Sequence, residues 1–460
     1  SGNSRHSVEA LFFREQYGEN IAIPRLRPVL PWLILFDDEI RRRALNISPE
    51  ITVEGGDPSQ LPLSERRNIL KNIVSRIVSD DDDRSGRDSS AIARIANPDL
   101  TEDTQLLIDT YGENDDAIFF LGRLVWQGEM ASCLAPLITI ATDNLRGNYA
   151  RIASTRAAMT CGTIEQKQDL WQQLNGSDEK IPRRLLAELI KHTEADNHSV
   201  KQLLISLGKL QPYERYEATS LNSQIHTFVE GLPITNNQQL INQFLDGLHL
   251  YLERSPYVER RECRVSEEYT WLLSPAVHLV ERLVKAHNSL ALKNTALYIL
   301  LMVPALRFWR DNGFSEYKDN LRDLVPNWPE LNDALYWASI EQARKNMAQS
   351  GEVLTDDWSV SWLDHFWAFN KMSLPRLCDY IHSRPLHDDK LVALSTAIRV
   401  YQNADKPIHI LNVLKDTVVN DLVLQQQLKT LLNPPVSEVV ERHEKKAAEW
   451  RRKHDEEEEK

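Results

Sequence analysis

AIFFLGRLVWQGEMASCLAPLITIATDNLRGNYARIASTRAAMTCGTIEQKQDLWQQLNG, residues 117–176, carries apolar side chains at the spacing of one helix after another. Ala117 to Trp126 is almost wholly apolar, Leu134, Leu137, Ile138 and Ala141 step as i, i+3, i+4, i+7, and Tyr149, Ala153 and Ala157 step by four. Leu170, Trp171 and Leu174 close a fourth helix. Beyond it, Ile181, Leu185, Leu186, Leu189 and Ile190 mark a fifth, and Val200, Leu203, Leu204 and Leu207 a sixth. The starts fall near residues 117, 132, 148, 164, 182 and 198, so alternate helices recur every 33 residues or so. A helix pair of that length cannot bury its own apolar face and stacks on its neighbours, which is the signature of an α-solenoid. Ala150, Ala153, Ala157 and Ala158 let adjacent helices approach closely. The tetratricopeptide pattern of Trp, Gly, Tyr and Pro is absent, so the expected fold is all-α, a HEAT-like α-solenoid of stacked helix pairs.

Upstream, Leu26 to Val78 reads as helix, connection, helix. Pro28 and Pro31 exclude a helix running through from further upstream, so the first begins at Pro31 and ends near Leu45 to Asn46. Its expected apolar face is Trp32, Leu35, Phe36, Ile40 and Ala44, with Asp37, Asp38 and Glu39 early and Arg41, Arg42 and Arg43 late, as the helix dipole favours. Gly55, Gly56, Asp57 and Pro58 make a turn, and Ser64 or a neighbour caps a second helix with Leu63, Ile69, Leu70, Ile73, Val74 and Ile77 on its face. A phosphate or metal role for Glu54 to Asp57 is disfavoured, because no Lys-Ser/Thr pair opens the next helix. The pair is read as the opening of the array, its Trp32 and Ile73 faces packed on the next pair. Val8, Leu11, Phe12 and Glu15 predict a helical turn or two ending near Gly18, and residues 79–86 a self-repelling acidic loop.

Downstream, Gln211 to Thr235 is less periodic and contains Pro212, Gly231 and Pro233, a candidate boundary. A second helical block follows, with stripes at Ile241, Phe244, Leu245, Leu248 and Leu252, then Leu272, Ala276, Leu279, Val280 and Leu283. Seven of the eleven tryptophans lie in it, so the block is aromatic-rich. Trp358, Trp362, Phe366 and Phe369 sit at helical spacing, which favours core over a stacking groove, with Trp358 and Trp362 kept as interaction candidates. Short helices resume at Leu374, Leu391, Leu411 and Leu424. No run with two-residue alternation and a matching partner is present, so no sheet is expected. The expected organisation is N-terminal helices and opening pair over 1–82, repeats over 88–210, the second block over 236–432 and a charged connector helix over 436–460. The chain opens Ser-Gly-Asn and closes on Glu-Glu-Glu-Glu-Lys, which reads as a piece of a longer protein.

With 460 residues, 42% hydrophobic and 26% charged, the composition is that of a water-soluble protein, and no apolar run reaches the eighteen or so residues of a membrane span. No secretory signal is visible, and a cytoplasmic location without membrane association is expected. Cys133, Cys161, Cys263 and Cys378 lie far apart without a CxxC pair, as reduced and mostly buried thiols would. A net charge of −13 opposes extensive nucleic-acid wrapping. Local basic patches survive that objection: Arg41 to Arg43, Arg66-Arg67, Arg183-Arg184, and above all Arg260, Arg261 and Arg264, although a solvated helix face is the commoner use of each. The best enzymatic pattern is His387-Asp388 with His365 and His382 upstream and Asp405, Asp416 or Asp421 downstream, the ligand types of helical metal phosphohydrolases of the HD type. That chemistry needs the side chains to converge at about 2 Å from one ion. A His-Asp pair just before Leu391 is also what a helix start uses, and no catalytic, cofactor or metal residue is assigned.

LRPVLPWLILFDDEIRRRAL, then SPE, then GGDPSQLPLSERRNIL, followed by ARIANPDL and the repeating helices, resembles the helical region of large bacterial NACHT-type NTPases of the STAND class, over about residues 26–207 and diffusely beyond. The resemblance implies an intracellular sensor, in many members an antiphage defence protein, whose array recognises a trigger while a nucleotide-binding module drives assembly. This chain has no GxxxxGK[ST] and no acidic Walker strand, so the resemblance carries over no nucleotide site and places the NTPase module outside it. The expected role is non-catalytic sensing or scaffolding with a protein partner or trigger and no cofactor. Nucleic-acid binding and metal-dependent phosphohydrolysis stand as alternatives.

Overall fold

Between residues 113 and 208 the apolar periodicity becomes helix within two residues of each expected start. In the computed structural model, which describes residues 8–80, 89–212, 219–260, 263–303, 320–349, 354, 365–433 and 446–447, these helices are α5 (Asp115–Gln127), α6 (Leu134–Thr142), α7 (Asn148–Cys161), α8 (Ile164–Gly176), α9 (Arg183–Lys191) and α10 (Asn197–Leu207). Before them come α1 (Asp38–Ile47), α2 (Leu63–Val78), α3 (Ser89–Ile95) and α4 (Thr101–Tyr111), and after them α11 (Leu221–Gly231). Local chemistry sets several boundaries. Asn114 caps α5 by accepting from the Ala117 amide, Thr163 and Gln166 form a capping box on α8, and Asp196 and Ser199 one on α10.

The chain divides into two compact units, residues 1–233 and 234–460. In the first, the helices form two rows. α3, α5, α7, α9 and α11 pack each on the next, while α8 packs on α6 and α10 in the other row. Hydrogen bonds join residues about one repeat apart. Arg146 Nε donates to Asp115 Oδ1 at 2.7 Å, and the Gly147 amide to Asp115 Oδ2 at 2.6 Å. Trp171 Nε1 donates to Ser206 Oγ at 3.1 Å, and Asn175 Nδ2 to Gln202 Oε1 at 2.7 Å. The Ile181 amide reaches the Lys209 carbonyl at 2.7 Å. Each such bond contributes about 1 kcal/mol net, so burial of Leu121, Leu134, Leu137, Trp171, Leu186 and their neighbours supplies most of the stacking energy. Gly122 sets the α5–α7 approach, since a Cβ there would lie 3.2 Å from the Ala153 Cβ and carbonyl carbon.

Three expectations for the N-terminal stretch are corrected. The helix expected from Pro31 to Asn46 is broken: a turn of helix at Leu30–Leu33 ends, and Asp37 starts α1 by accepting from the Glu39 and Ile40 amides at 3.0 and 3.1 Å. The break changes the register, so Trp32 and Phe36 are exposed while Leu30, Ile34, Ile40 and Ala44 form a core with Phe12, Phe13 and Ile51. The Ile73 face does pack inward, in one cluster with Ile118, Leu121 and Leu124 of α5. Ser64 does not cap α2; the helix opens after Pro62 without a side-chain cap. Gly56 closes the turn before it at φ +65°, where a Cβ would meet the Pro31 carbonyl oxygen at 2.5 Å.

Sheet is also present. Residues 8–12 are helical, but β1 (Phe13–Gln16) and β2 (Glu19–Ala22) then form an antiparallel hairpin with Phe13 opposite Ala22. Tyr17 and Gly18, at φ 58° and 87°, make its two-residue turn. A second hairpin, β3 (Tyr257–Arg260) with β4 (Cys263–Ser266), lies in the second unit. Four residues per strand are too few to display alternation.

The second unit contains α12 (Gln238–Leu252), α13 (Leu273–Lys285), α14 (Asn294–Met302), α15 (Pro329–Gln349), α16 (Leu374–Ser383), α17 (His387–Asn403), α18 (Ile408–Thr417) and α19 (Leu422–Leu432). α14 packs on α12, α13 and α15, and α17 on α16, α18 and α19. Among the described residues no helix is long and apolar enough to cross a membrane. Among the described residues the fold is all-α apart from the two hairpins and an isolated bridge between Ile181 and Leu210. The connector helix expected over 436–460, apart from residues 446 and 447, which are helical, lies outside the described residues, as do the acidic loop from residue 81 on, Trp358 and Trp362.

Candidate interaction groove

α5, α7 and α9 each turn one face to the same side of their row, and with Thr219 and Ser220 they enclose a groove of about 380 Å³. Helical period and repeat length place its residues. Arg123 is the ninth residue of α5 and Arg156 the ninth of α7, so the two guanidinium groups lie on equivalent turns of neighbouring helices. Arg184, in the first turn of α9, adds a third, and Glu188 one turn later a carboxylate. Arg156 and Glu188 are joined side by side: Nε donates to Oε2 at 2.8 Å and Nη2 to Oε1. Arg156 also stacks over the Trp126 ring, 4.7 Å from its centroid.

Aromatic side chains shape the other wall. Phe119 and Tyr149 meet edge to face at 5.6 Å, and the Arg123 guanidinium lies over the Phe119 ring at 5.1 Å. Arg123 is buried, Phe119 half-buried and Tyr149 exposed. The wall therefore runs from a buried cation to an accessible phenol. The lining holds Arg123, Arg156 and Arg184, and its carboxylate Glu188 is engaged by Arg156. His192, just past α9, is held below the ordinary histidine range, first by burial and then by Lys191, with Arg156 and Lys167 acting in the same direction.

No family model matches the chain, and no curated protein or solved structure matches it either.

The structure disperses the metal-ligand candidates. His365 stacks on Trp367 with centroids 3.8 Å apart, and His382 is exposed at the end of α16. His387 opens α17 with Nδ1 4.0 Å from Asp421 Oδ2, and Asp388 follows in the first turn. Asp389 is the buried member of that turn, ion-paired with Arg344 of α15. Among the described residues no three His, Cys, Asp or Glu side chains gather to hold a metal. Leu386, without a side-chain cap, precedes α17, and Asp388 and Asp389 lie in its first turn, where the helix dipole favours negative charge.

The basic patches separate as well. Arg42 pairs with Glu39, Arg43 with Glu9, Arg66 with Asp99 and Arg67 with Asp103. Arg183 is buried and donates to the Gln211 carbonyl at 3.2 Å, whereas Arg184 faces the groove. Arg264 is exposed and stacks on Tyr257 at 4.7 Å; Arg261 and the Arg260 side chain lie outside the described residues. In the aromatic-rich block, Tyr336 packs edge to face on Trp337, Trp367 and Phe369, while Trp367 Nε1 donates to Ser339 Oγ at 2.9 Å. These described aromatics are core.

Sequence reasoning missed Phe119, Arg123, Arg156 and Glu188. The available signal was the recurrence of arginine at positions 123 and 156, one repeat apart.

Proposed function

We propose that the chain is a non-catalytic recognition scaffold, the helical-repeat region of a larger assembly, which binds a protein trigger along the α5–α7–α9 face. The observation that carries this reading is the groove between neighbouring helices, bordered by the exposed Tyr149 and by Arg123, Arg156 and Arg184. A stacked array presents side chains of successive repeats along one line, and this is how such arrays read extended partners. The reading extends to HEAT-like stacking, and, through the resemblance over residues 26–207, to a STAND-type NTPase whose nucleotide module lies outside this chain and whose setting is bacterial, cytoplasmic defence against phage.

The test places a photo-crosslinking amino acid at Tyr149 and, as a control, at the exposed Ile164 on α8. A discrete protein adduct at position 149 and none at 164 is expected. Nucleotide hydrolysis or metal-dependent phosphatase turnover by the purified chain, abolished by His387→Ala, would replace the reading with an enzymatic one.

A further inference from the structure

We infer that Asn175-Gly176 is a modification site gated by α10: while α10 is seated the Asn175 amide is held away from reaction, and when α10 lifts the pair converts to an aspartyl or isoaspartyl link. This goes beyond the recognition reading and does not depend on the groove. The sequence supplies the reactive pair, because a glycine after asparagine leaves the backbone nitrogen unhindered by a side chain. Gly176 is exposed, and the space beside its α-carbon is open. In the reaction the Gly176 nitrogen loses its proton and bonds to Asn175 Cγ, while the Cγ–Nδ2 bond breaks and ammonia leaves carrying that proton. Solvent water then opens the cyclic imide at either carbonyl, giving aspartate or isoaspartate.

The contacts that hold the amide all run to α10. Asn175 Nδ2 donates to the Gln202 carbonyl at 3.1 Å and to Gln202 Oε1 at 2.7 Å, and Asn175 Oδ1 accepts from Ser206 Oγ at 2.8 Å. Ser206 is buried and accepts from Trp171 Nε1, so its hydroxyl is fixed from the α8 side as well. Gly176 is the last residue of α8, and helical backbone directs its N–H back along the axis instead of toward the neighbouring side chain. Attack needs Asn175 Cγ to swing over the Gly176 nitrogen, which breaks these contacts together. The reaction therefore follows the fraction of time that α10 is displaced. Its product also opposes the return. A carboxylate at position 175 has no donor for the Gln202 main-chain carbonyl, so acceptor would face acceptor in a half-buried site. Lys209 Nζ is already engaged by the Asn175 and Ser177 main-chain carbonyls. Isoaspartate in addition lengthens the backbone at the end of α8 and shifts the Ser177 carbonyl that Lys209 uses. Conversion thus leaves a lasting chemical record of each opening of the α8–α10 step.

The experiment ages the full 460-residue chain at mildly alkaline pH, folded or in guanidinium chloride, and follows conversion at Asn175 by peptide mass spectrometry. Conversion should be roughly tenfold slower, or more, in the folded chain than in denaturant. Ser206→Ala and Gln202→Ala, each checked for folding by thermal melt, should speed conversion in the folded chain severalfold and leave the rate in denaturant unchanged. Gly176→Ala should slow both. A second such pair, Asn312-Gly313, lies outside the described residues and is scored on its own peptide. Asn175→Asp, standing in for the product, should raise hydrogen exchange in α10 more than in α5 or α6. Equal rates in the folded and denatured chain, no acceleration in Ser206→Ala and Gln202→Ala, or wild-type exchange in α10 of Asn175→Asp would each overturn the inference. If neither α10 variant folds, the ratio of folded to denatured rates and the exchange of Asn175→Asp decide it.

Discussion

Arg156 and Glu188 tie α7 to α9 across the groove, and a double-mutant cycle on the pair tests whether that tie is structural. The side chains are 25% and 13% exposed and meet through two N–H···O contacts. Exposed ion pairs contribute about 0.2 to 1 kcal/mol, and hydrogen bonds to charged groups in drier surroundings about 1.5 to 3. A coupling energy of about 1.5 kcal/mol is expected. Arg156→Ala also loses the stack on Trp126, worth about 0.5 to 1 kcal/mol, so it should destabilise by about 2.5 kcal/mol. Glu188→Ala should cost about 2 kcal/mol and the double variant about 3, a shortfall that is the coupling itself. Urea denaturation followed by far-ultraviolet circular dichroism gives all four values. A coupling below about 0.3 kcal/mol would refute the argument that this pair fixes the spacing of α7 and α9.

Other perturbations probe the packing. Trp171→Ala removes a 2%-exposed indole and its bond to Ser206, and should destabilise by about 3 to 5 kcal/mol, with hydrogen exchange rising most in α8 to α10; a uniform rise across α2 to α11 would contradict stepwise stacking. Glu281 has a carboxylate depressed below the usual glutamate range: burial pushes it up, but His278, Lys285 and Asn320 together outweigh that. A depressed acid contributes stability above its unfolded value, about 4.3, and loses it as pH falls through the folded one. The midpoint temperature of wild type should therefore fall more steeply below about pH 4.3 than that of Glu281→Gln, and parallel curves would refute the assignment. Burial pushes the Cys133 thiol up to about 11, so at pH 8 only about a thousandth is thiolate and its alkylation should await unfolding; rapid native-state labelling at Cys133 would contradict this.

Helix placement was legible because apolar side chains at Leu134, Leu137 and Ala141, or at Leu186, Leu189 and Ile190, report a buried face directly. Trp32 and Phe36 misled for a related reason. Their spacing fits a continuous helix, and only the hydrogen bonds from the Glu39 and Ile40 amides to Asp37 reveal that the chain restarts there. Asp, Asn and Ser compete for nearby amides in ways that hydrophobic period does not register. The hairpin at Phe13 to Ala22 was hidden by its brevity, although Tyr17-Gly18 was a turn signal. The groove was the least legible feature, because it joins residues of α5, α7 and α9 through a row of helices that sequence order does not display. His387 and Asp388 showed the opposite error: adjacent in sequence with ligand-like types, they do not meet His365 or His382 in a metal-binding group.

Gly122 is not part of the groove lining, yet it faces the Ala153 backbone from behind the wall that Phe119 and Arg123 form. Its missing side chain acts as a spacer setting. Enlarging it by one methyl would crowd Ala153 and push α7 away from α5, carrying Tyr149 and Arg156 with it and widening the cleft between Phe119 and Tyr149 without changing any residue of the lining except in position. The width of the groove is thus set in part from a position outside its lining, and a screen confined to the lining would overlook it.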